Sequence, residues 1–221
     1  ALPISIPSGR MPGRWGLGIA ILWTALSLAW ATLMGTWGFW ACALAIAFSW
    51  AYSAPPVRLK KNGWWGNAAC ALSYEGLAWI TGTAVMLGGE WPGVLALSLA
   101  LLYSIGAHGI MTLNDFKAIE GDRQMGVRSL PVQLGAFKAA QVSALMMLVP
   151  QLLVLTLLLF WGKPIYALVI GGLMIGQILL LRDFLRKPIE KALFYSGFGV
   201  PLLVSGMMVA AFAVNSLGVQ S

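Results

Sequence analysis

Charge is scarce in this chain. Asp, Glu, Lys and Arg make up 10% of its 221 residues, where a soluble domain carries about 25%. Hydrophobic residues reach 59%, with a mean hydropathy of +0.82. That apolar surface exceeds what a soluble core could hide, so a soluble fold is excluded and an integral membrane protein of several spans is required. Cysteine is scarce too. Cys42 and Cys70 both fall inside apolar runs; their spacing fits no metal motif, and they read as small buried hydrophobes without a disulfide. The opening stretch, A-L-P-I-S-I-P-S-G-R-M-P-G-R, is Pro/Gly-rich, basic and too broken for a signal h-region, so no signal peptide is expected.

Seven apolar stretches are long enough to cross about 30 Å of hydrocarbon as helices. They are Trp15–Met34, Trp37–Tyr52, Asn67–Leu87, Gly93–Leu113, Phe137–Trp161, Ile165–Leu181 and Leu193–Val214. The connections alternate between tight uncharged turns and longer polar loops. Arg10, Arg14, Arg58, Lys60, Lys61, Lys117, Arg123, Arg128, Lys138, Arg182, Arg186, Lys187 and Lys191 fall on one side, and Lys163 alone on the other, a split of 13 to 1. The positive-inside rule then puts the N-terminus and long loops in the cytoplasm. The net charge of +7 is explained as topology, and no nucleic-acid partner is expected. Of 11 tryptophans, eight fall near span ends as an aromatic belt, while Trp23, Trp30 and Trp79 lie deeper, facing lipid or packed in the core.

The acids stand out against this background. Three of the seven lie within eight positions, in N-D-F-K-A-I-E-G-D-R, Asn114 to Arg123, at the exit of an apolar run. If the helix continued, Asp115 and Asp122 would share one face two turns apart. Converging carboxylates, with Asn114 beside them, suit Mg²⁺, which keeps some waters and shares its ligands with substrate phosphates. The alternative is a solvated loop in which Asp115 pairs with Lys117 or Arg123. A second loop, Y-S-A-P-P-V-R-L-K-K-N-G, offers Tyr52, Ser53, Arg58 and Lys60; in an extended segment Arg58 and Lys60 project to one side, as a diphosphate cradle needs. The alternative there is a positive-inside anchor. Together the loops complete a diphosphate site that neither makes alone. Glu75 is the one acid in mid-span. It needs a cavity or a partner such as Tyr103 or Ser104. His108 lies seven residues before Asp115; it is either a hydrogen-bonded core residue or a substrate contact.

Y-S-A-P-P-V-R-L-K-K-N-G-W-W-G-N, H-G-I-M-T-L-N-D-F-K-A-I-E-G-D-R-Q-M-G-V-R-S-L-P-V-Q-L-G and I-P-S-G-R-M-P-G-R-W-G-L resemble the UbiA-type membrane prenyltransferases, in particular their chlorophyll and bacteriochlorophyll synthase branch. The resemblance runs from about Ile6 to the C-terminus. It implies an all-α, polytopic transmembrane helical bundle with two acidic motifs facing each other across a cavity and Mg²⁺ held on a prenyl diphosphate. Carried over, the second acidic motif is Asp115, Glu120 and Asp122 with Asn114. The phosphate loop is Tyr52, Ser53, Arg58 and Lys60, helped by Arg10 and Arg123. Glu75 and His108 are candidate pigment contacts.

The family pattern has nine spans and a first acidic motif ahead of an R-P-I-P-S-G-R turn. Here that turn reads I-S-I-P-S-G-R, with Ile4 and Ser5 in place of Arg-Pro, and about seven spans are counted. Residues 1–221 are therefore expected to be a single, N-terminally incomplete prenyltransferase domain: a fragment, a divergent start or a degenerate relative. The expected reaction is prenyl transfer from geranylgeranyl or phytyl diphosphate to the propionate of bacteriochlorophyllide, in a bacterial cytoplasmic or intracytoplasmic photosynthetic membrane. Membrane lipid and pigment–protein assembly components are the expected partners. A quinone or haem prenyltransferase, or a non-catalytic pigment-binding scaffold, are the alternatives.

Overall fold

The computed structural model describes residues 12–217. Arg10, expected among the phosphate ligands, lies outside them. Among the described residues every regular element is helical, and the single β-bridge pairs Asn62 with Arg128. The helices are α1 (Gly13–Ala31), α2 (Gly35–Ser53), α3 (Gly63–Ala71), α4 (Leu77–Met86), α5 (Gly93–Asp115), α6 (Ile119–Gln124), α7 (Leu130–Leu134), α8 (Ala136–Phe160), α9 (Pro164–Arg186) and α10 (Pro188–Asn215).

Five segments are long and apolar enough to cross a membrane. The first, Gly13–Ser53, is two helices. The chain folds back at Thr32–Gly35, where Gly35 takes φ 74°, and the Trp50 indole donates to Thr24 Oγ1 at 3.0 Å across the pair. The expected span at Asn67–Leu87 is a rod of three pieces: α3, a π-turn over Leu72–Gly76, and α4. It carries Asn67, Ser73 and Glu75, so it is less apolar than its neighbours. All seven expected stretches are therefore helical. The basic stretch from Arg182 to Lys191, expected as a loop, is helical on both sides of a break at Lys187. Apolarity ends at the membrane edge, but Lys and Arg are good helix formers, and Pro188 at the first turn of α10 restarts the helix at once.

The core lies where α5, α8, α9 and α10 meet. Leu99, Tyr103, Met147, Leu158, Ile170 and Leu203 are fully buried there. Gly109 lets α5 approach α8: a Cβ would meet Met147 Cγ and the Ser143 carbonyl oxygen at 2.7 Å, and Ser143 donates to the Gly109 carbonyl at 2.9 Å. Gln151 and Gln177 lock α8 to α9 by reciprocal amide hydrogen bonds of 3.0 and 2.9 Å. Trp23 and Trp30 of α1 are exposed.

The turns sort to two ends. At one, Gly35 and Gly89 touch backbone to backbone, and Lys163 Nζ donates to the Ser216 carbonyl at 3.0 Å. At the other, the loop after α2 meets the loop after α6. The Arg128 N–H donates to the Lys61 carbonyl at 2.9 Å, and the Gly63 N–H to the Arg128 carbonyl at 2.7 Å.

Candidate functional site

Those two backbone hydrogen bonds bring the basic stretch against the acidic one. Asn62 caps α3, accepting from the Trp64 and Trp65 amides at 3.0 and 3.4 Å. Gly63 follows in contact with the Ser129–Leu130 backbone. The α3 helix then rises with Asn67 one turn above its start. Opposite, α5 ends at Asp115, the chain turns through Phe116–Ala118, and α6 carries Asp122. Phe116, fully packed against Phe184, fixes the turn.

Between them lies a small cavity of about 120 Å³. Its lining includes Tyr52, Lys60, Asn67, Asp115, Asp122 and Ser129. Two carboxylates, a cation, a phenol, an amide and a hydroxyl therefore share one polar space. The Ser129 hydroxyl is buried without a hydrogen-bond partner among the described residues. Asp115 accepts from Asn67 Nδ2 at 3.1 Å, and the same nitrogen lies 3.4 Å from Thr112 Oγ1.

The remaining candidates lie elsewhere. Glu120 is exposed; it accepts from Gln124 at 3.0 Å and pairs with Arg123 at 3.6 Å. Residues two apart on a helix point nearly opposite ways, so with Asp122 facing the cavity Glu120 faces out, and Arg123, paired with it, is exposed too. Asn114 is exposed and outside the cavity lining. Ser53 lines a second cavity of about 390 Å³, together with Tyr52, Phe48, Cys70, Ser73 and Tyr74. Arg58 has left-handed backbone, φ 42°, and its buried Nε has no partner among the described residues. His108 is buried, with Nε2 3.1 Å from the Trp64 carbonyl and the two rings 5.9 Å apart; it lines none of these cavities. Glu75 accepts from the Trp79 indole at 2.8 Å. Tyr103 donates instead to Gly206, and Ser104 to Ala100.

A third cavity, about 770 Å³ and largely apolar, holds Glu75 in its wall with Tyr74, Trp79, Trp91 and Asn215. The three spaces follow the α3–α4 rod from end to end. Tyr52 borders the first two, and Tyr74 the last two.

Residues 4–198 match the UbiA prenyltransferase family. The chain belongs to the UbiA prenyltransferase family. Over 214 residues this prenyltransferase is 56% identical to the bacteriochlorophyll synthase 33 kDa chain of Cereibacter sphaeroides, covering 97% of this chain and 70% of that one. It is 49% identical to the bacteriochlorophyll synthase 33 kDa chain of Rhodobacter capsulatus, over 97% of this chain and 71% of that one. The chloroplastic chlorophyll synthase of Avena sativa is 42% identical over 76% of this chain and 44% of its own length. A solved structure from work on digeranylgeranylglyceryl phosphate synthase in membranes has the same fold, with TM-score 0.71 at 19% identity over 96% of this chain and 73% of that one. This prenyltransferase is thus a multi-pass, all-α membrane enzyme.

The donor set tests the fit of a divalent cation. Among the described residues no three of His, Cys, Asp and Glu converge, so an all-protein cage is absent. Two carboxylates with amide and hydroxyl oxygens suit a hard cation that takes its remaining ligands from water and phosphate, as Mg²⁺ does.

Rarity and charge mark the acids and the R-L-K loop in the sequence; nothing there marks Asn67 or Ser129. An Asn in the first turns of a membrane helix looks like an ordinary interfacial residue, and its partner Asp115 is 48 positions away.

Proposed function

We propose that this protein transfers a geranylgeranyl or phytyl group from its diphosphate to the propionate carboxylate of bacteriochlorophyllide, completing a bacteriochlorophyll. The observation that carries this is 56% and 49% identity, over nearly the whole chain, to two bacteriochlorophyll synthase chains. The polar cavity supports it. Asp115 and Asp122, with Asn67 and Ser129 close by, would hold Mg²⁺; Lys60 and Tyr52 would meet the diphosphate from the other wall. Bound Mg²⁺ would neutralise the negative charge that builds on the departing diphosphate. Arg58, whose Nε has no partner among the described residues, is an outer phosphate contact in this reading, and Glu120, Arg123 and Asn114 flank the acidic motif outside the cavity.

The allylic C–O bond breaks, and the diphosphate leaves with the electron pair. The propionate oxygen then forms the new C–O bond. A carboxylate arrives already deprotonated, so no general base is needed; the task of these residues is positioning and charge stabilisation. The apolar space below Tyr52 takes the prenyl tail, and the wider space beyond, with Glu75, takes apolar parts of the substrates. His108 supports the site from behind Trp64. Residues 1–221 belong to one prenyltransferase domain in a bacterial cytoplasmic or intracytoplasmic photosynthetic membrane, with the polar end in the cytoplasm, where the Lys and Arg residues gather. Pigment–protein assemblies are the natural recipients of the product.

The test is esterification. Membranes containing the protein are incubated with Mg²⁺, bacteriochlorophyllide and geranylgeranyl diphosphate, with and without EDTA. EDTA-sensitive formation of the ester is expected. Prenylation of a quinone precursor or haem in place of the pigment would overturn the acceptor assignment. Pigment binding without any transfer would overturn the catalytic one in favour of a scaffold.

A further inference from the structure

The two protons of the Asn67 amide have definite places to go. Its Nδ2 sits 3.1 Å from Asp115 Oδ2 and 3.4 Å from Thr112 Oγ1. Thr112 has already given its own proton to the His108 carbonyl, at 3.0 Å, so toward Asn67 it can only accept. A carboxylate likewise has no proton to give. Two acceptor-only partners therefore fix which way the amide faces. The nitrogen faces α5, so the oxygen faces away from those two partners; Asn67 lines the same cavity as Lys60, Asp122 and Ser129.

The anchors are rigid. Thr112 is fully buried. The start of α3 is held by the Asn62 cap and by His108 on the Trp64 carbonyl, three residues before Asn67. Gly66, beside Asn67, is pinned against the Leu59 carbonyl, where a Cβ would come within 3.0 Å. Oδ2 of Asp115 thus accepts from a fixed donor, the Leu130 backbone N–H also donates to the carboxylate, and the residue lines the cavity.

We infer that Asn67 is a positioning residue: it holds Asp115 in the rotamer that presents one oxygen to a cation, and turns its own amide oxygen to the same space. This rests on the reading of Asp115 as a cation ligand. Outer partners of this kind typically change metal affinity by about 10–100-fold when removed. The amide also discriminates between near-isosteres. Leucine shares its branched heavy-atom shape but offers no donor, and aspartate would set a second carboxylate against Asp115.

The test uses Mn²⁺ as the probe, titrated into the purified detergent-solubilised protein and followed by the loss of the free-ion EPR signal. Asn67→Leu is expected to weaken Mn²⁺ binding at least about tenfold. Thr112→Val, which keeps the volume and removes one of the two anchors, is expected to weaken it severalfold. The concentration of Mg²⁺ giving half-maximal turnover should rise in parallel, with a smaller change in kcat at saturating metal. Parent-like Mn²⁺ affinity in both variants, with Asp115→Asn abolishing binding, would overturn the role of Asn67. If Asp115→Asn itself left binding unchanged, the cation assignment of the site would fail instead. Should Asn67→Leu melt well below the parent, Thr112→Val decides the matter, since its lost hydroxyl bonds only within α5 and to Asn67.

Discussion

Gly63→Ala is the sharpest test of how the two loops cooperate. The φ of Gly63 is not positive, so alanine meets no backbone penalty there, and the constraint is space alone. A Cβ at this position would lie 2.5 Å from Leu130 N, 2.9 Å from the Ser129 carbonyl carbon and 3.0 Å from Ser129 Cα. All three are backbone atoms, so no side chain can swing aside. Forcing a methyl into such a contact costs about 1–3 kcal/mol. The alternative is for the loops to separate. That breaks the Gly63–Arg128 and Arg128–Lys61 hydrogen bonds of 2.7 and 2.9 Å, also about 1–3 kcal/mol for the pair. Both routes give the same range, equivalent to roughly a 5- to 150-fold loss when 1.4 kcal/mol is tenfold. The loss should appear in kcat/KM for the prenyl diphosphate, because Lys60 sits on one of the loops being pushed apart and Asp122 on α6, which leads into the other. Gly172→Ala is the control, since its Cβ meets nothing within 4 Å and it lines none of the three cavities. Turnover and melting temperature are measured in the same membranes. Parent-like kcat/KM in Gly63→Ala, with a melting curve matching Gly172→Ala, would refute the coupling of the loops.

Other expectations follow from the same geometry. Asp115→Asn and Asp122→Asn should each lower turnover at least about a hundredfold, whereas Glu120→Gln, on an exposed face, should stay within about threefold; comparable losses in all three would show that Glu120 reaches the site. Gln151→Leu alone strands the Gln177 amide between α8 and α9 and should destabilise by about 1–3 kcal/mol, nearer the low end if the unfolded chain stays in the membrane. The Gln151→Leu/Gln177→Leu double variant should recover much of that, so an additive double-mutant cycle would contradict the paired-amide description. Glu75→Gln keeps an acceptor for the Trp79 indole and should melt like the parent; Glu75→Leu removes it and should melt lower, with equal melting of the two counting against the 2.8 Å bond.

The helices were legible because hydrocarbon length and apolar runs are local properties of a sequence. Lys163, the lone cation of its side, indeed sits with the tight turns, bonded to Ser216. What local reading could not supply was the angular position of neighbours once the helix broke. Asp115, Glu120 and Asp122 form one cluster along the chain, but the turn at Phe116–Ala118 and the short α6 send Glu120 outward while Asp122 faces in. Asn114 lies next to Asp115 in sequence, yet it is exposed and outside the cavity lining. The amide that does meet Asp115 arrives from another helix, and nothing in the spacing announces it. His108 was visible as a rare residue on the right helix, yet its partner is a backbone carbonyl, which carries no side-chain signature.

The π-turn at Leu72–Gly76 lets the α3–α4 rod carry one residue more than an unbroken α-helix of the same rotation. Four α-helical residues turn the chain by about 400°, and the wider π-turn spends five on nearly the same angle. An extra residue inside a plain helix would swing everything beyond it by about 100°; here it is absorbed where it stands. Deleting one residue from the turn would therefore leave Asn67 at the polar cavity and Trp79, Gly82 and Thr83 on the wall of the wide one. What would change is the bulge itself, whose Tyr74 and Glu75 line the cavities on either side. The π-turn thus lets the middle of the rod vary without disturbing either end.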